Sequence, residues 1–90
     1  MNINELTIPP LYAQEHEKDP AVHLIITCLN SFWLITEYNP DTKIAFGYCQ
    51  LLPDCGELGY VSLQEISELP YPVQYTPTNK PLSELKAEYV

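Results

Sequence analysis

Arginine is absent from this chain of 90 residues, and four lysines face twelve aspartates and glutamates. The formal net charge is therefore −8 at neutral pH. Arginine is the side chain that binds phosphate through paired hydrogen bonds, and nucleic-acid interfaces are strongly positive. The composition predicts that the chain does not bind DNA, RNA or an anionic membrane directly. Its negative field is better suited to a basic protein surface.

Long apolar runs are absent and glycine is scarce. Three glycines stand against nine prolines, so proline fixes most turns. The longest apolar stretch, residues 22–29, is far shorter than the ~20 residues that cross a membrane as a helix. The first five residues lack the basic and apolar regions of a signal peptide. We expect a soluble, cytoplasmic protein that does not contact a membrane.

The cysteines, at positions 28, 49 and 55, have neither disulfide-framework nor metal-site spacing. There is no Cys-x-x-Cys or His-x-x-x-His pair, so we predict no metal, no cofactor and no catalytic residue. The alternative is a small enzyme that uses Cys49 or Cys55. His23 is the histidine inside the predicted sheet, and it would reach Cys49 only if the strand register allowed it.

The hydrophobic pattern predicts an α+β fold of one domain spanning residues 1–90. Residues 1–20 form an extended arm that touches the core. Residues 21–61 form a small, strongly curved antiparallel meander of about four strands. The predicted strands lie at 22–29, 32–38, 43–50 and 57–61. Phe32 and Trp33 are adjacent, so they should point to opposite faces of the sheet.

Residues 62–90 are expected to cap the sheet with two short helices. Ser62 and Glu65 form a capping box, with serine at the N-cap, which starts the first helix. Pro81 is typical of a first helical position and opens the second. Between the helices, residues 70–78 must be extended because they contain three prolines. A fifth strand at 71–75 is one interpretation of that segment.

Several motifs together resemble a known family. Pro9-Pro10-Leu11-Tyr12, Thr36-Glu37-Tyr38-Asn39-Pro40 and Phe46-Gly47-Tyr48 precede the run from Glu57 to Ile66, and Pro81-Leu82-Ser83-Glu84-Leu85 follows it. This arrangement resembles the family called domain of unknown function 2958. The resemblance implies a setting in plasmids, integrative elements and phages, and it brings no catalytic motif. Each motif also has an explanation in folding; glycines 47 and 59, for example, suggest bulges or close backbone approach.

The remaining functional signal is the acidic surface. We predict a non-enzymatic protein-binding module whose carboxylates imitate phosphate spacing and occupy a basic surface of a host protein that handles nucleic acid. An anti-CRISPR or antirestriction inhibitor is the concrete form. The predicted contact residues are Glu15, Glu17, Asp19, Asp54, Glu57, Glu65 and Glu68.

Three other interpretations remain open. The acidity fits ordinary solubility as well, because a net charge of this size is common in small soluble domains. Tyr71 and Tyr75 lie on a stiff extended segment and are alternative anchors for a mainly apolar interface. The chain also fits a homodimer or structural subunit that pairs through an exposed strand edge.

Overall fold

A computed structural model describes residues 8–14, 17–50 and 56–89 of the chain. Within these ranges, five strands form one antiparallel sheet and two short helices follow the fourth and fifth strands. The elements are β1 (Ala21–Cys28), β2 (Ser31–Asn39), β3 (Ile44–Gln50), β4 (Gly56–Ser62), α1 (Leu63–Ser67), β5 (Gln74–Pro81) and α2 (Leu82–Tyr89). The predicted antiparallel meander is confirmed, and one mostly β domain with two short helices is compatible with the α+β class.

The strand order is β4-β3-β2-β1-β5, so the first four strands form the predicted meander. Residues 63–73 then lead from one edge of the sheet to the other and carry α1 across one face. β5 closes the far edge by pairing with β1. The two helices pack on opposite faces, which gives the fold three layers.

Each face of the sheet has its own apolar core. On the α1 face, Leu63 and Ile66 of the helix pack with buried residues of β1, β2 and β3. On the α2 face, Leu82 and Leu85 do the same. The apolar residues on both faces of β1 and β2 are explained by this arrangement, because a strand covered on both sides has no polar face.

Phe32 and Trp33 divide between the two faces as the alternation predicts. Trp33 belongs to the core beneath α1, and Phe32 belongs to the core beneath α2. Both are 6% exposed, so each face receives one large aromatic side chain from β2. The prediction that adjacent aromatics split between the faces is confirmed.

A β-bulge in β2 changes which face its last residues use. Ile35 pairs with Gly47 and Glu37 pairs with Phe46, so Thr36 is the extra residue. Gly47 fits the predicted close approach, because a Cβ atom there would lie 2.0 Å from the Leu34 carbonyl oxygen. The same prediction for Gly59 is wrong, since a Cβ atom at that position would meet nothing within 4 Å.

β5 differs from the fifth strand expected at 71–75. It runs from Gln74 to Pro81, and Tyr75 pairs with Ile26 of β1. Pro77 is tolerated because β5 is an edge strand, where one row of N–H groups has no partner strand. α2 begins at Leu82, so Pro81 precedes the helix and does not occupy its first position.

The helix starts at Ser62 and near Pro81 are confirmed to within one residue. Ser62 accepts a hydrogen bond from the Glu65 N–H at 3.3 Å, which is the serine half of the predicted capping box. Over the parts of the chain that are described, neither helix has the length and apolar character needed to cross a membrane. The strong curvature of the meander stays a prediction.

Candidate functional site

The arm that precedes β1 is tied to the sheet by one glutamine. The Gln14 side chain donates to the carbonyl oxygens of Ala21 and Thr36, at 3.1 and 2.8 Å, and accepts the Ala21 N–H at 2.9 Å. Pro9 adds a backbone contact, because its carbonyl accepts the Tyr38 N–H at 2.9 Å. These bonds hold the arm against the ends of β1 and β2.

Docking of the arm places Tyr12 beside the outer strands. The Tyr60 hydroxyl donates to the Tyr12 hydroxyl at 3.0 Å, and their ring centroids lie 6.5 Å apart in an edge-to-face arrangement. Tyr60 also meets Phe46 edge to face at 5.1 Å. Tyr12 has a φ of 69°, a left-handed conformation that costs a non-glycine residue about 1–2 kcal/mol. The unfavourable backbone conformation of Tyr12 therefore occurs at the point where its ring contacts Tyr60.

Glu37 lies next to these rings and is buried. It is 5% exposed, and its Oε2 accepts the Gln14 N–H at 2.6 Å. No other hydrogen bond to this carboxylate comes from the described residues. The bulge at Thr36 is the reason for its position: Glu37 pairs with Phe46 and so faces the α2 side, whereas strict alternation from Trp33 would turn it toward α1.

Together these side chains line a cleft of about 340 Å³. We call it the tyrosine cleft and define it by Tyr12, Glu37, Phe46, Leu58 and Tyr60. Glu17 and Lys18 also lie along its wall. The tyrosines and Leu58 are more than half exposed, which is unusual for three neighbouring large apolar side chains. The cleft therefore combines aromatic walls with a buried carboxylate.

A second cleft of about 430 Å³ lies on the opposite face, between α1 and the outer strands. We call it the α1 groove and define it by Trp33, Cys49, Glu57, Gly59 and Glu65. Glu57 and Glu65 are both exposed, so their charges stay in contact with water. The α1 groove has the same number of carboxylates along its wall as the tyrosine cleft, but none of them is buried.

The thiol in the α1 groove is poorly suited to nucleophilic attack. Burial, and then the negative charge of Glu57, raise the pKa of Cys49, while a hydrogen bond with Trp33 lowers it. The raised pKa reduces the thiolate fraction, and the thiolate is the reactive form. His23 lies in β1, with β2 between it and Cys49 in β3, about 10 Å across two strand spacings. The register does not bring the two side chains together.

Cys28 is a free, buried thiol in the core on the α1 face, as a small apolar residue would be. Cys55 lies outside the described residues. Among the residues that the structure does describe, no three His, Cys, Asp or Glu side chains come together as metal ligands would.

Comparison with family models matches residues 4–82 to the family described as a protein of unknown function, DUF2958. The chain belongs to this family. The resemblance seen in the sequence motifs is thereby confirmed over most of the chain. No curated protein and no solved structure matches the sequence. Membership in DUF2958 therefore assigns no activity, and the function must be argued from the clefts.

The predicted acidic residues of this DUF2958 protein are spread over both faces. Glu17 lines the tyrosine cleft, while Glu15 and Asp54 lie outside the described residues. Asp19 has a structural partner: its carboxylate accepts the Ser83 N–H at 2.8 Å and the Ser83 hydroxyl at 2.7 Å. Asp19 thus holds the first turn of α2, and these bonds lower its pKa.

The other predicted carboxylates belong to the α1 side. Glu57 and Glu65 share the α1 groove, so the structure brings these two together. Glu68 is exposed at the C-cap of α1, where its N–H bonds to the Glu65 carbonyl at 3.2 Å. Glu65 lies within α1, and Glu68 follows it by three residues at the end of the helix. The structure therefore brings Glu57 and Glu65 together in the α1 groove, with Glu68 at the end of the same helix.

The two tyrosines proposed as alternative anchors differ from one another. Tyr71 is 53% exposed and lies before β5. Tyr75 lies within β5 and packs against the core on the α1 face, where burial raises its pKa. Tyr71 is thus available for contact, whereas most of Tyr75 serves the fold.

The residues of the tyrosine cleft were missed as a functional group by sequence reasoning. Tyr12, Glu37, Phe46 and Tyr60 come from four segments, each of which was assigned a role in folding. One signal pointed to Glu37, because a carboxylate within the apolar run of β2 must be buried or face a cavity. Nothing in the pattern indicated the bulge that decides the face.

Proposed function

We propose that this DUF2958 protein is a non-enzymatic module of a mobile element that binds a basic protein of the host. The concrete form is an anti-defence inhibitor of anti-CRISPR or antirestriction type, which covers a surface that would otherwise bind nucleic acid. Such a partner implies a cytoplasmic location. The mobile-element setting comes from the sequence resemblance, and the binding role is supported by the charges and the clefts.

The observation that carries this proposal is the placement of the carboxylates. Glu17 and Glu37 line the tyrosine cleft, and Glu57 and Glu65 line the α1 groove. Each cleft also has apolar walls, and the α1 groove has no lysine along its wall. A ligand for such a surface must be cationic and partly apolar, which describes the side chains of a basic protein.

Two of the lysines are engaged in contacts elsewhere and do little to offset the charge of the α1 groove. Lys80 pairs with Glu88 at 3.6 Å, and Lys86 lies over the Tyr48 ring at 4.6 Å. The first contact joins β5 to α2, and the second joins α2 to the core on the α2 face. Lys80 and Lys86 are thus engaged away from the α1 groove, whereas Lys18 lies along the wall of the tyrosine cleft; phosphate would meet the carboxylates of the α1 groove with no lysine among the described residues that line it. This supports a protein partner and opposes direct binding of nucleic acid.

The experiment that tests the proposal combines capture with charge reversal. Tagged protein is used as bait in lysate of a bacterial host, captured proteins are identified by mass spectrometry, and the purified partner is titrated at low and high salt. Affinity for a basic partner should fall steeply with salt. If the α1 side makes the contact, the double variant Glu65→Lys with Glu68→Lys should slow association. If the tyrosine cleft makes it, Glu17→Lys should do so.

Asp41→Lys is the matched control for Glu17→Lys, because it changes the net charge equally but lines neither cleft; for the double reversal it matches the change at each single position. Direct micromolar binding of DNA at physiological salt would contradict the proposal. A partner complex that is unchanged by salt and by every reversal would contradict it as well, and would favour an apolar interface at Tyr71.

A second candidate, homodimerisation, is favoured by the outer edge of β4, on which no further strand pairs among the described residues. This strand pairs with β3 on one side, and its sequence, Gly56–Ser62, contains no proline. Exposed strand edges without proline or bulges are templates for pairing. Light scattering after size-exclusion chromatography, across a hundredfold range of concentration, tests this candidate directly. A constant monomer mass would rule it out.

A further inference from the structure

We propose that the tyrosine cleft binds the guanidinium group of an arginine side chain supplied by the partner protein. This inference rests on the proposed function and names the chemical group that one of its sites recognises. The chain itself contains no arginine, so the occupant must come from another molecule.

The buried carboxylate of Glu37 is the first reason. It is 5% exposed and lines the cleft, and within the described residues it accepts a hydrogen bond only at Oε2. An ionised carboxylate has room for about four hydrogen bonds, and Oε1 is open to the cleft, since Gln50 Oε1 is the buried side-chain atom that lacks a partner within the described residues. A donor that enters the cleft can therefore bond to Oε1, and a charged donor forms the stronger hydrogen bond.

The aromatic walls are the second reason. Tyr60 meets Tyr12 and Phe46 edge to face, with interplanar angles of 65° and 64°. The rings therefore present their faces in different directions around the same cavity. A cation over a ring face within about 6 Å of its centroid is attracted by the ring quadrupole, and the attraction grows when water is excluded.

Arginine fits this combination better than lysine does. Its guanidinium is planar, so it stacks on a ring while its edge donates to a carboxylate, and it is more weakly hydrated than an ammonium group. Lys18 already lies along the cleft wall and would oppose a second cation there. Delocalised charge reduces that repulsion. The cleft volume of about 340 Å³ leaves room for the side chain together with ordered water.

The test uses the full-length protein and three short peptides. The peptides are acetylated and amidated, with sequence Gly-X-Gly, where X is arginine, its uncharged isostere citrulline, or lysine. Binding is followed by NMR chemical shifts of the backbone amides. We expect the arginine peptide to shift the amide signals of residues in the tyrosine cleft. The lysine peptide should bind several-fold more weakly than the arginine peptide, and the citrulline peptide should bind at least about tenfold more weakly.

Variants then separate the cleft from the general acidity. Glu37→Gln keeps an acceptor for the Gln14 N–H and should weaken the arginine peptide about tenfold. Tyr60→Ala should weaken it several-fold. Glu57→Gln removes an equal charge from the α1 groove, and Tyr71→Ala removes an exposed tyrosine elsewhere; neither should change binding more than twofold. Thermal unfolding checks that each variant is folded.

The outcomes distinguish this inference from the proposed function. If the arginine peptide shifts no cleft residue, or if Glu57→Gln weakens it as much as Glu37→Gln does, the inference is overturned. A basic partner whose binding ignores Glu37→Gln and Tyr60→Ala also overturns it, while the proposed function stands. Arginine-peptide binding in the cleft without any basic protein partner would support the site and overturn the proposed function.

Discussion

The two faces of the sheet carry the same parts, a short helix and a cleft, but they are held in different ways. On one face, α1 is capped by Ser62, the residue directly before it. On the other, the first turn of α2 is held by Asp19, which lies 64 positions before Ser83. The α1 groove comes from one helix and neighbouring strands. The tyrosine cleft needs the arm, which Gln14 fixes to the sheet.

This difference predicts which cleft is more sensitive to substitutions in the arm. Contacts between near neighbours cost little loop-closure entropy, whereas distant contacts form only after a long loop has closed. Ile8 of the arm packs against the core on the α1 face, but no described residue of the arm lines the α1 groove; the groove should therefore tolerate changes in the arm around Gln14, and the tyrosine cleft should not. The functional consequence is that the cleft with the buried carboxylate depends on a segment outside the sheet.

The largest expected effect is a loss of stability that affects both faces of the sheet at once. Gly47→Ala places a methyl group 2.0 Å from the Leu34 carbonyl oxygen, next to the bulge that orients Glu37. We expect a loss of about 3 kcal/mol in the free energy of unfolding, measured with urea. Gly59→Ala is the matched control because Gly59 pairs with Gly47 and its Cβ position is open; it should change stability by about 0.5 kcal/mol or less. Equal losses in the two variants would show that β2 and β3 adjust to the added methyl group.

Gln14→Ala should separate the faces. It removes three side-chain hydrogen bonds between the arm and the sheet, which we expect to cost about 2–3 kcal/mol. Amide hydrogen exchange should then speed up around Tyr12 and Glu37 and stay unchanged in α1. Gln64→Ala, an exposed glutamine of α1, should leave stability within about 0.5 kcal/mol. Exchange that rises equally on both faces would mean that they are not independent.

The distant cap of α2 should make one face sensitive to acid. The Ser83 hydroxyl and N–H lower the pKa of Asp19 below its ordinary value of 3.8. A carboxyl whose pKa is lower in the folded state stabilises the fold above its unfolded-state pKa, and this is lost as pH falls through the folded-state pKa.

The free energy of unfolding of the wild type should therefore fall more between about pH 5 and pH 2 than that of Asp19→Asn, which lacks the titrating carboxyl. Asp41→Asn, at an exposed turn position, should follow the wild-type curve. Circular dichroism during urea titration at each pH measures this. Identical slopes for wild type and Asp19→Asn would show that the Ser83 contact contributes no net stability.

The smallest effect concerns the thiol of the α1 groove. Burial and the charge of Glu57 raise the pKa of Cys49, so Glu57→Gln should lower it and increase the thiolate fraction near pH 8. We expect alkylation of Cys49 by iodoacetamide to speed up about twofold, measured by peptide mapping. Glu65→Gln removes a charge from the same groove and should have less effect. A slower reaction in Glu57→Gln would contradict the assigned cause.

Sequence reasoning predicted the parts of the fold that depend on local rules. The strand alternation, the serine cap at Ser62 and the division of Phe32 and Trp33 between faces all follow from periods and neighbours. The edge chosen by β5 did not follow, because pairing with β1 is decided by the whole sheet. Nor did the direction of Glu37, because one inserted residue at Thr36 reverses the face and leaves no mark in composition.

The prolines of β5 set a limit on how copies of this protein can assemble. Pro77 and Pro81 have no N–H donor, so a strand that paired along this edge would lack hydrogen bonds at those two positions. The edge of β4 has no such block. Two copies joined β4 to β4 would present β5 at both ends of the combined sheet. Both outer edges of the dimer would then contain prolines, so the addition of a third copy by strand pairing would be disfavoured relative to dimer formation.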